Sequence, residues 1–363
     1  MTLLEEKAAV NTTRPPTTNR FSPLLVVLAG AIIVGTLSYT LPPFRTYQLA
    51  TVGAYLCVTA GLTVLTGLNG QLSLGHGALM ATGAYSFALW QNRFNLLIAG
   101  IVVAILATTA VGVVIGLAAA RLRGPYLAGL TLAVAVVVPS VTSTFDERFN
   151  GDQGLPVALN PPPGTVPVER WQVWLTWSGA LLTVLFLAYL TRGRFGRDMR
   201  AVRDDETAAK LAGVSVARTQ VLAFVVSAAC AGLAGALFAA LAQSVSPGAF
   251  PLTLSLFLLM AIVIGGLGRL VGALLGALLL VALPALAQEI GQASGSQRLE
   301  GNLSLTFFGV VLVVVMLAAP GGLASLWRIT RNPRRKADDE THRDRPRRRP
   351  AGRRLQQRRD QQQ

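Results

Sequence analysis

The sequence predicts an all-α polytopic membrane protein, and three observations support this prediction. Of its 363 residues, 52% are hydrophobic and only 13% are charged, whereas a typical soluble domain has about 25% charged residues. The mean hydropathy is +0.52. Apolar stretches of roughly 18 residues or more recur between residues 24 and 320, and each is long enough to cross a hydrocarbon core of about 30 Å. A soluble fold does not account for this pattern.

About ten of these apolar segments are predicted to span the membrane, with eight to ten as the range. Several contain glycine or proline, which membrane helices tolerate when neighbouring helices satisfy the freed backbone groups. The eighth segment is short and ends in GGLG, so a re-entrant helix is an alternative there. The predicted spans are residues 24–41, 47–66, 72–91, 96–119, 125–144, 173–191, 219–242, 253–267, 270–287 and 303–320.

Positive residues beside the span ends predict the orientation. Lysines and arginines precede the first span and follow the fourth, sixth and last spans. With ten spans all four groups fall on one side, which the positive-inside rule assigns to the cytoplasm. We therefore expect a transmembrane domain at 24–327, with a cytoplasmic loop at 192–218 and an external loop at 145–172.

The two ends of the chain, residues 1–23 and 328–363, are predicted to be disordered cytoplasmic tails. From Arg328 onward, 14 Arg and Lys residues outnumber five Asp and Glu residues, so this tail supplies +9 of the net charge of +15. It has too few apolar residues to form a core. A solvated basic tail that attracts anionic membrane lipids is favoured over nucleic-acid binding, and a specific RNA or protein partner is the alternative.

The segment GLNGQLSLGHGALMATGAY, residues 67–85, is unusually polar and glycine-rich for a membrane helix. Glycines weaken a helix, and lipid cannot pair the polar side chains. A broken helix that lines a solute path would expose N–H groups to an anion, with Ser73 capping its second half. Close helix packing through small residues explains the segment equally well. The candidate pathway residues are Gly67, Asn69, Gly70, Gln71, Ser73, Gly75, His76 and Tyr85, with Gly265, Gly266 and Gly268 of a later glycine-rich block.

A second segment, residues 192–224, is too polar to enter the membrane. As one helix, residues 199–212 place small residues on an arc of about 120°, with Glu206 and Lys210 as an i,i+4 pair elsewhere on the surface. Gly213 suits the position that ends such a helix. A small-residue face favours close approach by another protein, and a solvated connecting helix is the alternative. The candidate contact residues are Ala201, Val202, Asp205, Ala208, Ala209, Ala212 and Gly213.

The sequence lacks the patterns of a catalytic, cofactor or metal site. A P-loop requires a lysine directly after a glycine, and none of the three lysines follows one. The two cysteines fall inside predicted spans, and the two histidines lie far apart in the chain, so no metal site is predicted. The spans also lack the buried acids that ion-coupled transporters use. Uphill transport would therefore need energy from another polypeptide.

Several blocks of the sequence, in order, resemble the M-type permease subunits of bacterial branched-chain amino acid ABC importers. Residues 67–85 resemble the family signature G-x-x-G-Q-x-S-L-G-H, with departures at Gly77, Leu79 and Met80. The resemblance covers roughly residues 47–325 and excludes both tails. The further matching blocks are RGPYLAGLTLA at 123–133, FNGDQGL at 149–155, residues 200–239, VIGGLGRLVGALLGA at 263–277 and LAAPGGL at 317–323.

This resemblance implies a transmembrane permease subunit, not an enzyme, that imports branched-chain or related amino acids. It implies an H-type permease partner, two cytoplasmic ATPase subunits, an extracytoplasmic amino-acid-binding protein and a location in the bacterial cytoplasmic membrane. Residues 201–213 would then couple the chain to an ATPase. Two alternatives stay open: a urea or short-amide importer, which shares these blocks, and a passive channel for a small polar solute.

Overall fold

The computed structural model describes residues 22–122, 124–159, 161–162 and 164–293, with separate positions between 306 and 324. This part of the chain is all-α apart from two short strands, which confirms the predicted fold class. The predicted tail at 328–363 lies outside the described residues. So does the tail at 1–23, except for its last two residues, which begin the first helix.

The first half of the chain forms six helices. Pro43 at the start of α2 and Pro125 at the start of α5 occupy first-turn positions, where a helix does not need the missing N–H group. A π-helical turn, Thr63–Leu68, prolongs α2. The helices are α1 (Ser22–Thr40), α2 (Pro43–Leu62), α3 (His76–Phe94), α4 (Leu97–Ala119), α5 (Pro125–Thr144) and α6 (Asp146–Phe149).

The second half adds two long helices, two short ones and a closing pair. A two-residue strand β1 (Leu155–Pro156) precedes them, and its partner β2 (Ser244–Val245) follows α10. The helices are α7 (Val168–Arg192), α8 (Arg194–Asp204), α9 (Glu206–Leu211), α10 (Val216–Ala242), α11 (Leu252–Gly265) and α12 (Leu270–Ala293).

Within the described residues, seven helical segments are long and apolar enough to cross a membrane, against the ten spans predicted. The third predicted span corresponds to α3, which has spanning length but is too polar to count. In α12 only the shorter stretch Leu270–Leu286 is strongly apolar. The eighth predicted span, joined to the turn before it, reaches 19 residues at Pro247–Gly265. Most of the tenth, at 303–320, lies outside the described residues.

Helix α10 lies at the centre of the bundle because its small residues let other backbones approach closely. A Cβ added to Gly83 of α3 would lie 2.5 Å from the carbonyl oxygen of Gly232 in α10. Gly235 of α10 likewise meets the carbonyl oxygen of Met80 in α3. Packing through small residues replaces the hydrophobic driving force that is absent between helices in lipid. These contacts bring α10 beside the start of α3, where the candidate site lies.

The predicted external loop is held to the connection that follows α10. Strand β1 pairs antiparallel with β2, with Leu155 opposite Val245. Beyond the strands, the Val157 N–H donates to the Gln243 carbonyl at 2.9 Å, and the Asn92 side chain donates to the Pro156 carbonyl at 2.7 Å. The end of α3, this loop and the end of α10 therefore meet at one end of the bundle.

Candidate functional site

The polar segment after α2 is a helix break, as the sequence predicts. The π-helical turn ends at Leu68, and α3 begins only at His76. Between them Gly70 adopts a positive φ of 78°, a conformation that favours glycine. The Thr66 hydroxyl donates to the Gln71 carbonyl at 3.0 Å and pins the segment back against the turn. Irregular backbone in a membrane protein is tolerated where it is buried in protein, as it is here.

The two glycine-rich blocks meet at this break. Gly67 lies against the backbone of Gly268, so that Gly67 has no room for a side chain. Gly268, with φ of 78°, and Gly266, with φ of 116°, form the turn between α11 and α12. Gly265 packs in the same way on the backbone of Gly272. The early and late glycine-rich blocks are therefore in direct backbone contact.

His76, the first residue of α3, is fully buried and has a partner at each ring nitrogen. Its Nδ1 lies 2.8 Å from the Ser73 hydroxyl, and its Nε2 lies 2.7 Å from the hydroxyl of Ser227 in α10. A neutral imidazole has one donor and one acceptor nitrogen, and a serine hydroxyl can serve either role. His76 thus joins the break to the central helix.

A side chain from another helix caps the start of α3, and the predicted cap at Ser73 is wrong. The N-cap position is Gly75, which has no side chain, so Ser73 lies two residues too early. The Gly77 N–H donates to the hydroxyl of Ser255 in α11 at 2.9 Å. The Leu74 N–H donates to the hydroxyl of Thr131 in α5 at 3.0 Å. In this conformation these hydroxyls take donors that an anion would otherwise use.

Two amide side chains of the break are buried without full hydrogen bonding. Asn69 is 3% exposed and Gln71 is 6% exposed. Both side-chain atoms of the Asn69 amide and the Oε1 atom of Gln71 lack a hydrogen-bond partner among the described residues. Leaving such groups unpaired costs about 1–3 kcal/mol each. Both residues border a cavity of about 430 Å³. Among the pathway candidates, these two have both unpaired amide atoms and a place at this cavity.

The remaining pathway candidate, Tyr85, lies two turns into α3 and away from the break. It is buried, and its ring meets that of Phe149 edge-on, with 5.3 Å between the centroids. Phe149 belongs to α6, at the end of the bundle opposite the break. The structure therefore does not bring Tyr85 together with Asn69 and Gln71.

The polar segment after α7 is two helices rather than the single helix predicted at 199–212. Helix α8 ends at Asp204, and Asp205 has extended backbone, with φ of −159° and ψ of 113°. The Asp205 carboxylate accepts the N–H groups of Thr207 at 2.7 Å and Ala208 at 3.0 Å and so caps α9. An aspartate between two helical segments can accept backbone N–H groups and so begin a new helix. The helical periodicity of residues 199–212 does not reveal this role.

The capping bonds make Asp205 a stronger acid. The backbone N–H of Ala208, and then that of Thr207, hold the pKa of its carboxyl below the ordinary value. At the other end of α9, Gly213 has φ of 82°, which confirms its predicted role. The Val214 N–H donates to the Ala209 carbonyl and the Gly213 N–H to the Lys210 carbonyl, which is the Schellman arrangement. Both ends of α9 are thus fixed.

The break between α8 and α9 at Asp205 divides the predicted small-residue face. Val202 and Ala209 are buried in a small cluster with Val216, against which Ala201 packs. Ala208 and Ala212 are exposed, and so is Leu211, which the sequence reading left outside the face. Val202 and Ala209 therefore hold the segment to its own chain. Of the predicted contact residues, Asp205, Ala208, Ala212 and Gly213 remain exposed to another protein.

Several residues of the site were not singled out from the sequence. The Arg203 guanidinium donates to the Gly67 carbonyl and so connects α8 to the helix break. Nothing in the local sequence indicates that contact. The sequence does indicate that Ser227 and Ser255 have partners, because a hydroxyl inside an apolar span needs a hydrogen bond from a neighbouring helix.

Comparison with known proteins identifies the family to which the chain belongs. A family model described as "Branched-chain amino acid transport system / permease component" matches residues 45–319. The chain belongs to this family. Both glycine-rich blocks and the α8–α9 segment fall within the matched residues, and both predicted tails fall outside them.

Curated members of this branched-chain amino acid permease family align over most of the chain. The LivM permease protein of Escherichia coli K12, a high-affinity branched-chain amino acid transport system permease, is 32% identical over 76% of this chain and 68% of its own length. A probable LivM protein of Methanocaldococcus jannaschii is 25% identical over 84% of each chain. The LivH permease protein of Salmonella typhimurium is 26% identical over 74% of this chain and 90% of its own. No solved structure matches the chain.

Family membership and the apolar helices together establish a multi-pass membrane permease. Within this permease, the helix break and the α8–α9 segment are neighbouring parts of one end of the bundle, joined through Arg203 and Gly67. A permease needs a path for solute and a surface that responds to its partner subunits. The break offers candidates for the first and α9 for the second.

Proposed function

We propose that this chain is the M-type permease subunit of an ATP-driven importer of branched-chain amino acids in a bacterial cytoplasmic membrane. Its partners would be an H-type permease, two cytoplasmic ATPase subunits and an extracytoplasmic amino-acid-binding protein. The similarity to LivM and LivH proteins, whose names state branched-chain amino acid transport, supports the substrate class and a second permease. A sequence without a P-loop supports ATP hydrolysis on separate subunits.

The contacts between helix ends support the proposed orientation. Gly67, Arg203 and Gly268 meet at one end of the bundle, and β1 pairs with β2 at the other. Alternating crossings by the long helices place the arginine-rich α8 at the first end. Excess arginine marks cytoplasmic loops. The first end would therefore face the cytoplasm and the strand pair the outside.

The observation that carries the coupling proposal is an exposed apolar residue on a short helix that is capped at both ends. Leu211 of α9 is 87% exposed, beside the exposed Ala208 and Ala212. The Asp205 cap and the Gly213 turn hold α9 in place, and the Arg203 contact joins its base to the helix break. A rigid helix with small and apolar exposed residues fits a groove on an ATPase subunit. Motion of that ATPase would then reach the break directly.

The pathway proposal is centred on Asn69 and Gln71. Both residues border the cavity beside the break, and the described protein leaves atoms of both amides without hydrogen bonds. The glycines beside them permit the close backbone contacts that keep the break folded. In this proposal, packing and pathway are roles of different residues in the same segment.

The test is reconstitution of the chain with its partner permease, ATPases and binding protein in liposomes. We expect leucine uptake that depends on ATP and on the binding protein. Uptake without ATP would support the passive channel, and ATP-driven uptake of urea but not leucine would support the urea or short-amide importer.

The coupling surface is tested by matched tryptophan substitutions. Ala208→Trp places a large ring on the proposed docking side of α9 and should abolish co-purification of the ATPases. Ala158→Trp places the same ring at an exposed position on the opposite end of the bundle and should leave co-purification unchanged. If the ATPases stay bound to Ala208→Trp, α9 is not the docking helix.

A further inference from the structure

The cavity of about 430 Å³ beside the helix break has the size of a small-molecule site. Its wall comes from three places: the break between α2 and α3, the connection between α4 and α5, and the α8–α9 junction. A molecule bound there would touch both the segment proposed as the pathway and the base of the segment proposed to dock on an ATPase.

The polar part of the wall is incompletely hydrogen-bonded by the protein. Asn69 and Gln71 both line the cavity and are more than nine-tenths buried. Both amide atoms of Asn69 and the Oε1 atom of Gln71 lack a partner among the described residues. A buried amide in a folded protein is normally paired. The protein therefore leaves hydrogen-bonding groups at this wall unpaired.

Charges of both signs line the same cavity. Arg203 uses one guanidinium nitrogen on the Gly67 carbonyl, which leaves other N–H groups for a carboxylate. Asp204 and Glu206 also border the cavity. The Gln220 side chain donates to Glu206 at 3.0 Å and fixes its position. A cation and anions within one cavity match a zwitterion, because each end of the ligand finds the opposite charge.

The rest of the wall is aliphatic. Leu72, Leu122, Leu127 and Val202 contribute to it, so the cavity can also take an apolar side chain. We propose that this cavity binds a zwitterionic α-amino acid with an aliphatic side chain. The proposal rests on the proposed function for the side of the membrane: the site faces the cytoplasm. Amino acid that accumulates there would bridge the break to the α8–α9 junction and slow transport by its product.

The first test is direct binding of leucine to the permease–ATPase complex in nanodiscs, where both faces are open, without the binding protein. We expect saturable binding that 4-methylpentanoate, which lacks the ammonium, and 3-methylbutylamine, which lacks the carboxylate, displace at least tenfold less well than leucine. ATP hydrolysis should fall as leucine fills the site. Saturable binding that either singly charged analogue displaces as well as leucine would overturn the zwitterion assignment.

Two matched pairs of variants locate the site. Leu72→Trp fills the cavity from a half-exposed position and should weaken binding at least tenfold, whereas Leu117→Trp, at a similarly exposed position on α4, should not. Asp204→Asn removes one charge from the wall and should weaken binding severalfold, whereas Asp198→Asn on the same helix should not. If Leu72→Trp lowers the melting temperature, the Asp204 and Asp198 pair decides the matter.

The outcomes separate this proposal from the proposed function. A complex that imports leucine with ATP but shows no saturable binding in nanodiscs, or binding that Leu72→Trp and Asp204→Asn leave unchanged, overturns the cavity proposal alone. If the chain never associates with an ATPase, yet the permease alone in nanodiscs binds leucine and Leu72→Trp and Asp204→Asn weaken that binding, the cavity proposal stands and the importer proposal fails. Leucine binding that only the control variants weaken would place the ligand elsewhere and overturn the cavity proposal.

Discussion

At the scale of single residues, the glycines and the amides of the helix break have different tasks. A Cβ at Gly75 would lie 2.8 Å from the Thr131 carbonyl oxygen, and one at Gly77 would lie 2.7 Å from the Ser255 hydroxyl. These glycines are required for close approach. Asn69 and Gln71 carry the buried amide atoms that the described protein leaves unpaired. Tests of solute contact therefore belong at the amides and tests of packing at the glycines.

We expect Gly75→Ala to destabilise the fold. The new methyl group meets backbone, which cannot rotate away as a side chain can, and overpacking of this kind costs about 1–3 kcal/mol. Gly129→Ala in α5 is the control, since nothing lies within 4 Å of its added Cβ. Thermal unfolding of the purified protein measures both. Equal melting temperatures for the two variants would show that the contact with Thr131 is not tight.

Ser227→Ala should also destabilise the protein, because it leaves the Nε2 atom of the buried His76 without its partner. An unpaired buried polar group costs about 1–3 kcal/mol. Ser178→Ala is the matched control, since that exposed hydroxyl donates only to the Leu175 carbonyl of its own helix. If denaturant unfolding gives the same stability for both variants, the bridge from His76 to α10 contributes nothing measurable.

At the scale of elements, the six residues of α9 depend on their caps. A helix this short is unstable alone because its nucleation cost exceeds its few hydrogen bonds. The Asp205 carboxylate at one end and the Gly213 turn at the other satisfy the free backbone groups. The exposed Leu211 is therefore held in place by polar contacts at both ends of its helix.

The Asp205 cap should make α9 sensitive to acid. The folded protein lowers the pKa of this carboxyl through bonds from Ala208 and Thr207, so its contribution is present above the ordinary pKa. That contribution is lost as the pH falls through the lowered pKa. Hydrogen exchange at the Thr207 and Ala208 amides, corrected for intrinsic rates, should show protection decreasing with acidity.

The isosteric variant Asp205→Asn supplies the control for that pH dependence. Asparagine also caps helices through its side-chain oxygen but does not titrate in this range. Its protection should therefore stay constant over the same pH interval. A decrease equal to that of the wild type would assign the acid sensitivity to another group.

At the scale of the whole molecule, we predict that the basic C-terminal segment is separable from the transport unit. The family match ends at residue 319, and the residues after Arg331 have too few apolar side chains to form a core. We predict that truncation after Arg331 preserves ATP-dependent leucine uptake in the reconstituted complex.

The same truncation should weaken attachment to anionic lipid, because it removes most of the positive charge of the tail. Binding of the complex to vesicles with and without anionic lipid measures this effect, and a longer chain that ends at residue 345 is an intermediate control. Complete loss of uptake in a truncated chain that still assembles with its partners would contradict the predicted separation.

The sequence by itself determined the class of the protein, the position of the helix break and the family. Apolar run length fixes membrane spans because the bilayer has a set thickness, and clustered glycines at 67, 70 and 75 weaken a helix wherever they occur. The sequence also predicted that Gly213 ends the helix before it, and in the structure this glycine has the positive φ that such an ending requires. These properties are local, so a linear sequence contains them.

Only the tertiary structure decided what the polar residues contact. Ser255, rather than Ser73, caps the start of α3, and Thr131 binds the Leu74 N–H just before it, because the chain brings α11 and α5 to that point. The kink at Asp205 replaced one amphipathic helix by two, which buried Val202 and Ala209 and exposed Leu211. The Arg203 contact with Gly67 joins positions 136 residues apart. Such pairings depend on how helices pack against each other, and helical periodicity carries no information about a partner on a distant helix.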